Sequence, residues 1–141
     1  VTYEPGTLKV VAYDEAGKPV AEAAVHTAGK PYRIVLEADR TTLAADGEDL
    51  CYVTATIVDM EGNPCPLADN TLTAAVSGAA GFRALCNGDA TSLELFHLNR
   101  MKAFNGKLVV TLQAGHEPGP ATLSLTAKGL KAGRIELKVG E

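Results

Sequence analysis

The densest cluster of residues able to do chemistry is Asp46-Gly47-Glu48-Asp49. An acidic turn of this kind can offer oxygen ligands to Ca²⁺, a hard ion that takes several of them. The spacing is not that of an EF-hand loop. The preferred reading is a solvated acidic loop in which Asp49 braces the backbone ahead of a strand starting near Leu50. His26, His97 and His116 are far apart and belong to no ligand motif, so surface or loop positions are expected. Ser92 lacks the Gly-x-Ser-x-Gly elbow that would expose a nucleophile. Cys51, Cys65 and Cys86 leave at least one thiol unpaired and show no zinc-type spacing. Cys51 and Cys86 fall in strand patterns, where a free cysteine packs as a small hydrophobe, so buried structural thiols are expected rather than a disulfide. No catalytic residue, metal ligand or cofactor is assigned.

One long irregular stretch, residues 87–105, holds the remaining candidates. It contains Asn87-Gly88-Asp89-Ala90-Thr91-Ser92, then Leu93-Glu94-Leu95-Phe96, then Arg100-Met101-Lys102-Ala103-Phe104-Asn105. Loops of this length inside compact domains are uncommon and often face a partner. Asn87, Asp89, Glu94, Arg100 and Lys102 are therefore the candidate contacts to a partner or a sugar. Ordering the loop loses about 1–2 kcal/mol of backbone entropy per residue, so anchors are required. Phe96 and Phe104, its only aromatics, are expected to pin it across an edge or end of the fold, with the cations left solvated.

The elements that would position these residues alternate with period two. Ile34, Leu36 and Ala38 share a face, as do Cys51, Val53, Ala55 and Ile57, and Leu72, Ala74 and Val76. Leu108, Val110 and Leu112 follow, then Leu123 and Leu125, then Ile135, Leu137 and Val139. With 82–86 added, seven short strands are expected from residue 31 onward. One buried and one solvated face per strand is the pattern of two packed antiparallel sheets. The count and the frequent turns indicate an immunoglobulin-like sandwich. The expected core includes Ile34, Val53, Ile57, Leu72, Leu108, Val110, Leu123, Leu125, Ile135 and Leu137.

Turn chemistry separates these runs. Asp14-Glu15-Ala16-Gly17-Lys18 and Asp59-Met60-Glu61-Gly62-Asn63 are hairpin-type loops, and Pro118-Gly119-Pro120 marks another connection. Residues 1–30 stand apart as one hairpin around Gly17. A lone hairpin is marginal in water. It is expected to end a preceding β-domain or to pack on the sandwich of residues 31–141, with Gly29 and Pro31 at the boundary.

Composition narrows the function classes. The 141 residues carry a net charge of −4, with both signs mixed and no basic cluster, which argues against a phosphate-binding surface. No apolar run approaches the ~20 residues of a membrane-spanning helix. There is no Trp to form a sugar-stacking platform. The opening Val1-Thr2-Tyr3-Glu4-Pro5-Gly6 shows neither a signal peptide nor a Met start, as expected of a piece of a longer protein.

Two segments carry a resemblance. Residues 39–50, Asp39-Arg40-Thr41-Thr42-Leu43-Ala44-Ala45-Asp46-Gly47-Glu48-Asp49-Leu50, running on to Val58-Asp59-Met60-Glu61-Gly62-Asn63, resemble the opening of the C-terminal immunoglobulin-like domain of family 2 β-galactosidases. The stretch from Asn87-Gly88-Asp89 to Ala103-Phe104-Asn105-Gly106 is similar to that domain's long loop. Tyr3-Glu4-Pro5-Gly6-Thr7-Leu8 with Ala12-Tyr13-Asp14 resembles the last hairpin of the domain before it. The resemblance implies a non-catalytic accessory domain whose partners are the other domains of the parent glycoside hydrolase, which would be periplasmic or secreted. In that family the catalytic glutamates lie in a TIM barrel, which nothing here resembles. A retaining glycosidase needs two carboxyls about 5 Å apart, and Glu94 has no evident partner. The alternative is a carbohydrate-binding or adhesin-type module.

Overall fold

In the computed structural model, which describes residues 4–140, eleven strands follow one another without a helix. They are β1 (Thr7–Tyr13), β2 (Pro19–His26), β3 (Arg33–Ala38), β4 (Thr42–Leu43), β5 (Leu50–Val58), β6 (Thr71–Gly78), β7 (Ala80–Cys86), β8 (Arg100–Lys102), β9 (Lys107–Ala114), β10 (Gly119–Thr126) and β11 (Gly133–Val139). β1 and β2 form a separate antiparallel hairpin. The others make two sheets, ordered β3-β5-β9-β7 and β4-β11-β10-β6-β8. All pairings between strands are antiparallel except β4 with β11, which is parallel. The seven expected strands are β3, β5, β6, β7, β9, β10 and β11; the sequence reading missed the two short edge strands, β4 and β8.

The core is what the alternation places between the sheets. β5 contributes Cys51, Val53, Ala55 and Ile57, and β9 answers with Leu108, Val110, Leu112 and Ala114. Leu72 and Ala74 of β6, Ala121, Leu123 and Leu125 of β10, and Leu137 and Val139 of β11 close it from the opposite sheet. Nine of the ten expected core residues are buried, and Ile135 is half-buried. Its strand is paired by β4 only at Lys138 and Val139, so no strand of its own sheet flanks β11 on that side at Ile135.

Two local expectations change. Cys86 is exposed, not buried. A β-bulge between Phe82 and Ala84 shifts the register of β7 on β9. Side chains alternate strictly in a strand, so an inserted residue flips the parity beyond it. Leu85 therefore points inward and Cys86 outward. Gly119 and Pro120 belong to β10 rather than to a connection, paired with Val139 and Lys138. Pro120 lacks an N–H, but its carbonyl still accepts from Ala79 N at 2.9 Å.

Candidate functional site

The 87–105 loop runs from β7, the edge of one sheet, to β8, the edge of the other. It thereby covers two strand edges that would otherwise present unpaired backbone. Leu85 N donates to Phe96 O at 2.8 Å, and Ala74 N donates to Asn99 O at 2.7 Å. Asn99 Nδ2 returns a bond to Ala74 O at 3.1 Å. The loop lies across the edge, as expected, but its aromatics do not pin it. Phe104 is 41% exposed and Phe96 more so. The buried anchors are Met101 of β8, opposite Leu72, and Ala103. A three-residue strand whose middle side chain points inward does what the phenylalanines were expected to do.

The polar candidates turn toward their own loop. Asn87 Nδ2 donates to Lys102 O at 3.0 Å, and Asn87 Oδ1 accepts from Asp89 N at 3.0 Å. Asp89 accepts from the Thr91 hydroxyl at 2.7 Å and from Thr91 N at 2.9 Å, and these bonds hold its carboxyl below the usual range. Both carboxylate oxygens of Glu94 accept from Lys102 N at 3.2 Å. Lys102 Nζ lies 3.7 Å from Asp69 in an exposed pair. Arg100 is exposed and forms no ion pair among the described residues. The structure thus brings Asn87, Asp89, Glu94 and Lys102 together as a brace and leaves Arg100 outside it.

Asp49 braces its loop as expected. Its Oδ2 accepts from Ala44 N and its Oδ1 from Leu50 N, both at 2.9 Å, with Arg40 Nη1 at 3.3 Å. Asp46 Oδ1 takes Glu48 N at 2.8 Å and Asp49 N at 2.7 Å, which lowers its pKa. Among the described residues no group of three or more His, Cys, Asp or Glu side chains converges as a metal site would. His26 Nδ1 pairs with the Thr7 hydroxyl at 2.8 Å, and His97 and His116 are exposed. Cys51 and Cys65 are buried free thiols. Burial first, and then Asp39, push the Cys51 thiol up to about 11.

One residue escaped the sequence reading. Asp59 is the one buried charged side chain among the described residues. Its Oδ2 accepts from Gly29 N at 2.8 Å and from Asn63 Nδ2 at 3.0 Å, and its Oδ1 accepts from Asn63 N at 2.8 Å. The bond from Gly29, followed by those from Asn63, outweighs burial and holds the carboxyl at about 2. Asp59 therefore fastens the linker after β2 to the turn after β5. The Asp-x-x-Gly-Asn spacing of residues 59–63 was the available signal, because an aspartate opening a turn accepts the N–H groups that follow it. Beside it, an open cleft of about 1020 Å³ separates the hairpin root from Asn63, Pro64 and Pro66.

The fold recurs in known proteins. Over its whole length the chain is 44% identical to a β-galactosidase of Bacteroides ovatus, of which it spans 16%. A glycosyl hydrolase family 2 member from Bacteroides cellulosilyticus superposes with a TM-score of 0.93 at 32% identity, covering all of this chain and 18% of that one. A β-glycosidase from Bacteroides vulgatus gives 0.91 at 29% identity, covering 99% of this chain and 18% of that one. The chain thus spans less than a fifth of each of these relatives. Residues 34–136 match the profile described as glycoside hydrolase family 2 C-terminal domain 5, and the chain belongs to that family.

Proposed function

We propose that this chain is a non-catalytic accessory domain of a β-galactosidase-type glycoside hydrolase, supporting or extending the catalytic module. The observation that carries the reading is the 44% identity along the whole chain to a β-galactosidase of which it makes up only 16%. The chemistry of the loop agrees with it. Asp89 and Glu94 are engaged by neighbouring N–H and hydroxyl groups of their own loop, as bracing residues are. The test is turnover of a chromogenic β-galactoside by the purified 141-residue chain and by the full-length parent. The parent should be active and the chain inert. Activity of the chain abolished by Glu94→Gln or Asp89→Asn would overturn the reading, whereas activity surviving both is contamination.

The hairpin of residues 1–30 fits as the end of a preceding β-domain, with the sandwich occupying residues 31–141. Leu8, Val10 and Ala12 pair across the hairpin with Val25, Ala23 and Ala21, so all six share one apolar face. That face is exposed. A two-stranded sheet with a bare apolar face needs further strands or a packed layer to be stable. Of the candidate contacts, Arg100 and the Lys102 ammonium remain at the surface, where another domain of the parent can meet them.

A further inference from the structure

The loop across the sandwich edge displays an apolar ridge that its own fold does not use. Leu93 is 95% exposed, Phe96 57%, Leu95 55% and Leu98 42%. Single exposed apolar side chains are ordinary, but four within six consecutive positions form a patch of the kind that marks an interaction site. The ridge is held in shape. Phe96 O accepts from Leu85 N, Leu98 N closes a turn on Leu95 O at 3.1 Å, and Asn99 is tied to Ala74 in both directions. Glu94, the one acid within it, turns its carboxylate inward onto Lys102 N. A preordered apolar display has already lost the entropy that a mobile loop would lose on binding.

The chemistry of the ridge selects its partner. A sugar needs convergent donors and acceptors, and those of Asn87, Asp89 and Glu94 are engaged within the loop. An apolar protein surface needs none. We infer that the ridge formed by Leu93, Leu95, Phe96 and Leu98 docks against another part of the same parent polypeptide, an apolar patch with an acidic rim facing Arg100. This rests on the accessory-domain reading. The chain makes up 16–18% of its relatives, so most of the parent polypeptide is tethered to it at high effective concentration. Charge separates this occupant from a second copy. Ridge-on-ridge docking would bring two unpaired Arg100 rims together, whereas an acidic rim is complementary.

Hydroxyl-radical footprinting of the full-length parent, read side chain by side chain by mass spectrometry against the denatured parent, tests the inference. A ridge as exposed as it is here would show Phe96 protected about twofold or less. Burial in a docked interface core should raise that to about fivefold or more, with Leu95 following. Phe96→Asp lies at an exposed position and leaves the core intact, so in the parent it should raise Leu95 oxidation several-fold. Unprotected ridge side chains in the parent would overturn the inference. So would protection that disappears on dilution from micromolar to nanomolar protein, because that identifies a second copy. A parent with a protected ridge but no glycosidase activity would sink the accessory reading and leave the docking intact. An active glycosidase with a bare ridge would do the reverse.

Discussion

Replacing Met101 by alanine separates the buried anchor of the edge loop from its exposed aromatics. Met101 is fully buried in the middle of β8, opposite Leu72, which is equally buried. Truncating a buried Met to Ala costs about 2–5 kcal/mol, the transfer free energy of the lost atoms plus the cavity left behind. At ~3–4 °C per kcal/mol for a chain of this size, that lowers the Tm by about 6–20 °C. Phe104→Ala removes a larger ring, but one that is 41% exposed. The buried share of a Phe transfer free energy is about 1–2 kcal/mol, and a void open to solvent adds no cavity term. Met101→Leu conserves volume and should cost less than about 1.5 kcal/mol. Urea unfolding of the 141-residue chain measures all three, with an unchanged m-value showing that stability alone moved. Amide exchange across residues 87–99 should also accelerate in Met101→Ala, because β8 is the far support of the loop. A midpoint for Phe104→Ala at or below that of Met101→Ala would refute the reasoning and restore the aromatic as the anchor.

Three further outcomes follow from the geometry. Asp59 is held at about 2 against an ordinary 3.8, chiefly by Gly29 N–H. A depressed folded pKa gives stability that is present above the unfolded value and lost as pH falls through the folded one, so urea midpoints should drop between pH 4 and pH 2, and Asp59→Asn should flatten that drop. With Cys51 and Cys65 buried and Cys86 exposed, a thiol reagent near neutral pH should titrate one cysteine in the native chain and three in denaturant; fast labelling of Cys51 would contradict the burial that raises its pKa. Gly106 has φ 72°, and a Cβ there would collide with the Cys65 carbonyl oxygen, whereas at Gly88, φ 77°, it would meet nothing within 4 Å. Gly106→Ala should therefore lower stability by more than the ~1–3 kcal/mol of left-handed strain that Gly88→Ala also carries, as read by thermal melts.

The sandwich was legible because each long strand buries one face, and a period-two pattern records that directly. It failed where parity breaks. The bulge in β7 leaves no mark in the alternation of residues 80–86, so Cys86 was placed on the wrong face. It failed also for β8, whose three residues are too few to show a period, and which carries only one inward side chain. Asn105-Gly106 was a readable hairpin signal, and the structure uses it: both residues have positive φ, and Phe104 and Lys107 exchange backbone hydrogen bonds. Aromatic rings were expected to be anchors because they bury the most surface when buried. In this loop the backbone bonds to β6 and β7 supply the attachment, which frees the rings from that task.

The same distinction separates bracing residues from contact residues. A side chain that satisfies loop backbone is engaged inside the domain, and Asn87, Asp89, Glu94, Asp46, Asp49 and Asp59 all do this. For Asp49 and Asp59 the turn spacing was legible, but for Asn87, Asp89 and Glu94 it was not, because a short polar side chain near loop N–H groups serves a turn as readily as a ligand. Besides Arg100 and Lys102, two apolar surfaces remain exposed: the Leu93–Leu98 ridge at the sandwich edge and the Leu8–Val10–Val25 face of the hairpin. The two differ in rigidity. The ridge is tied to both sheets, whereas the described hairpin is tied to the sandwich chiefly through its linker at Gly29. The inferred docking of the ridge would act through hydrophobic burial, while Asp59 ties the linker that follows the hairpin to the turn after β5.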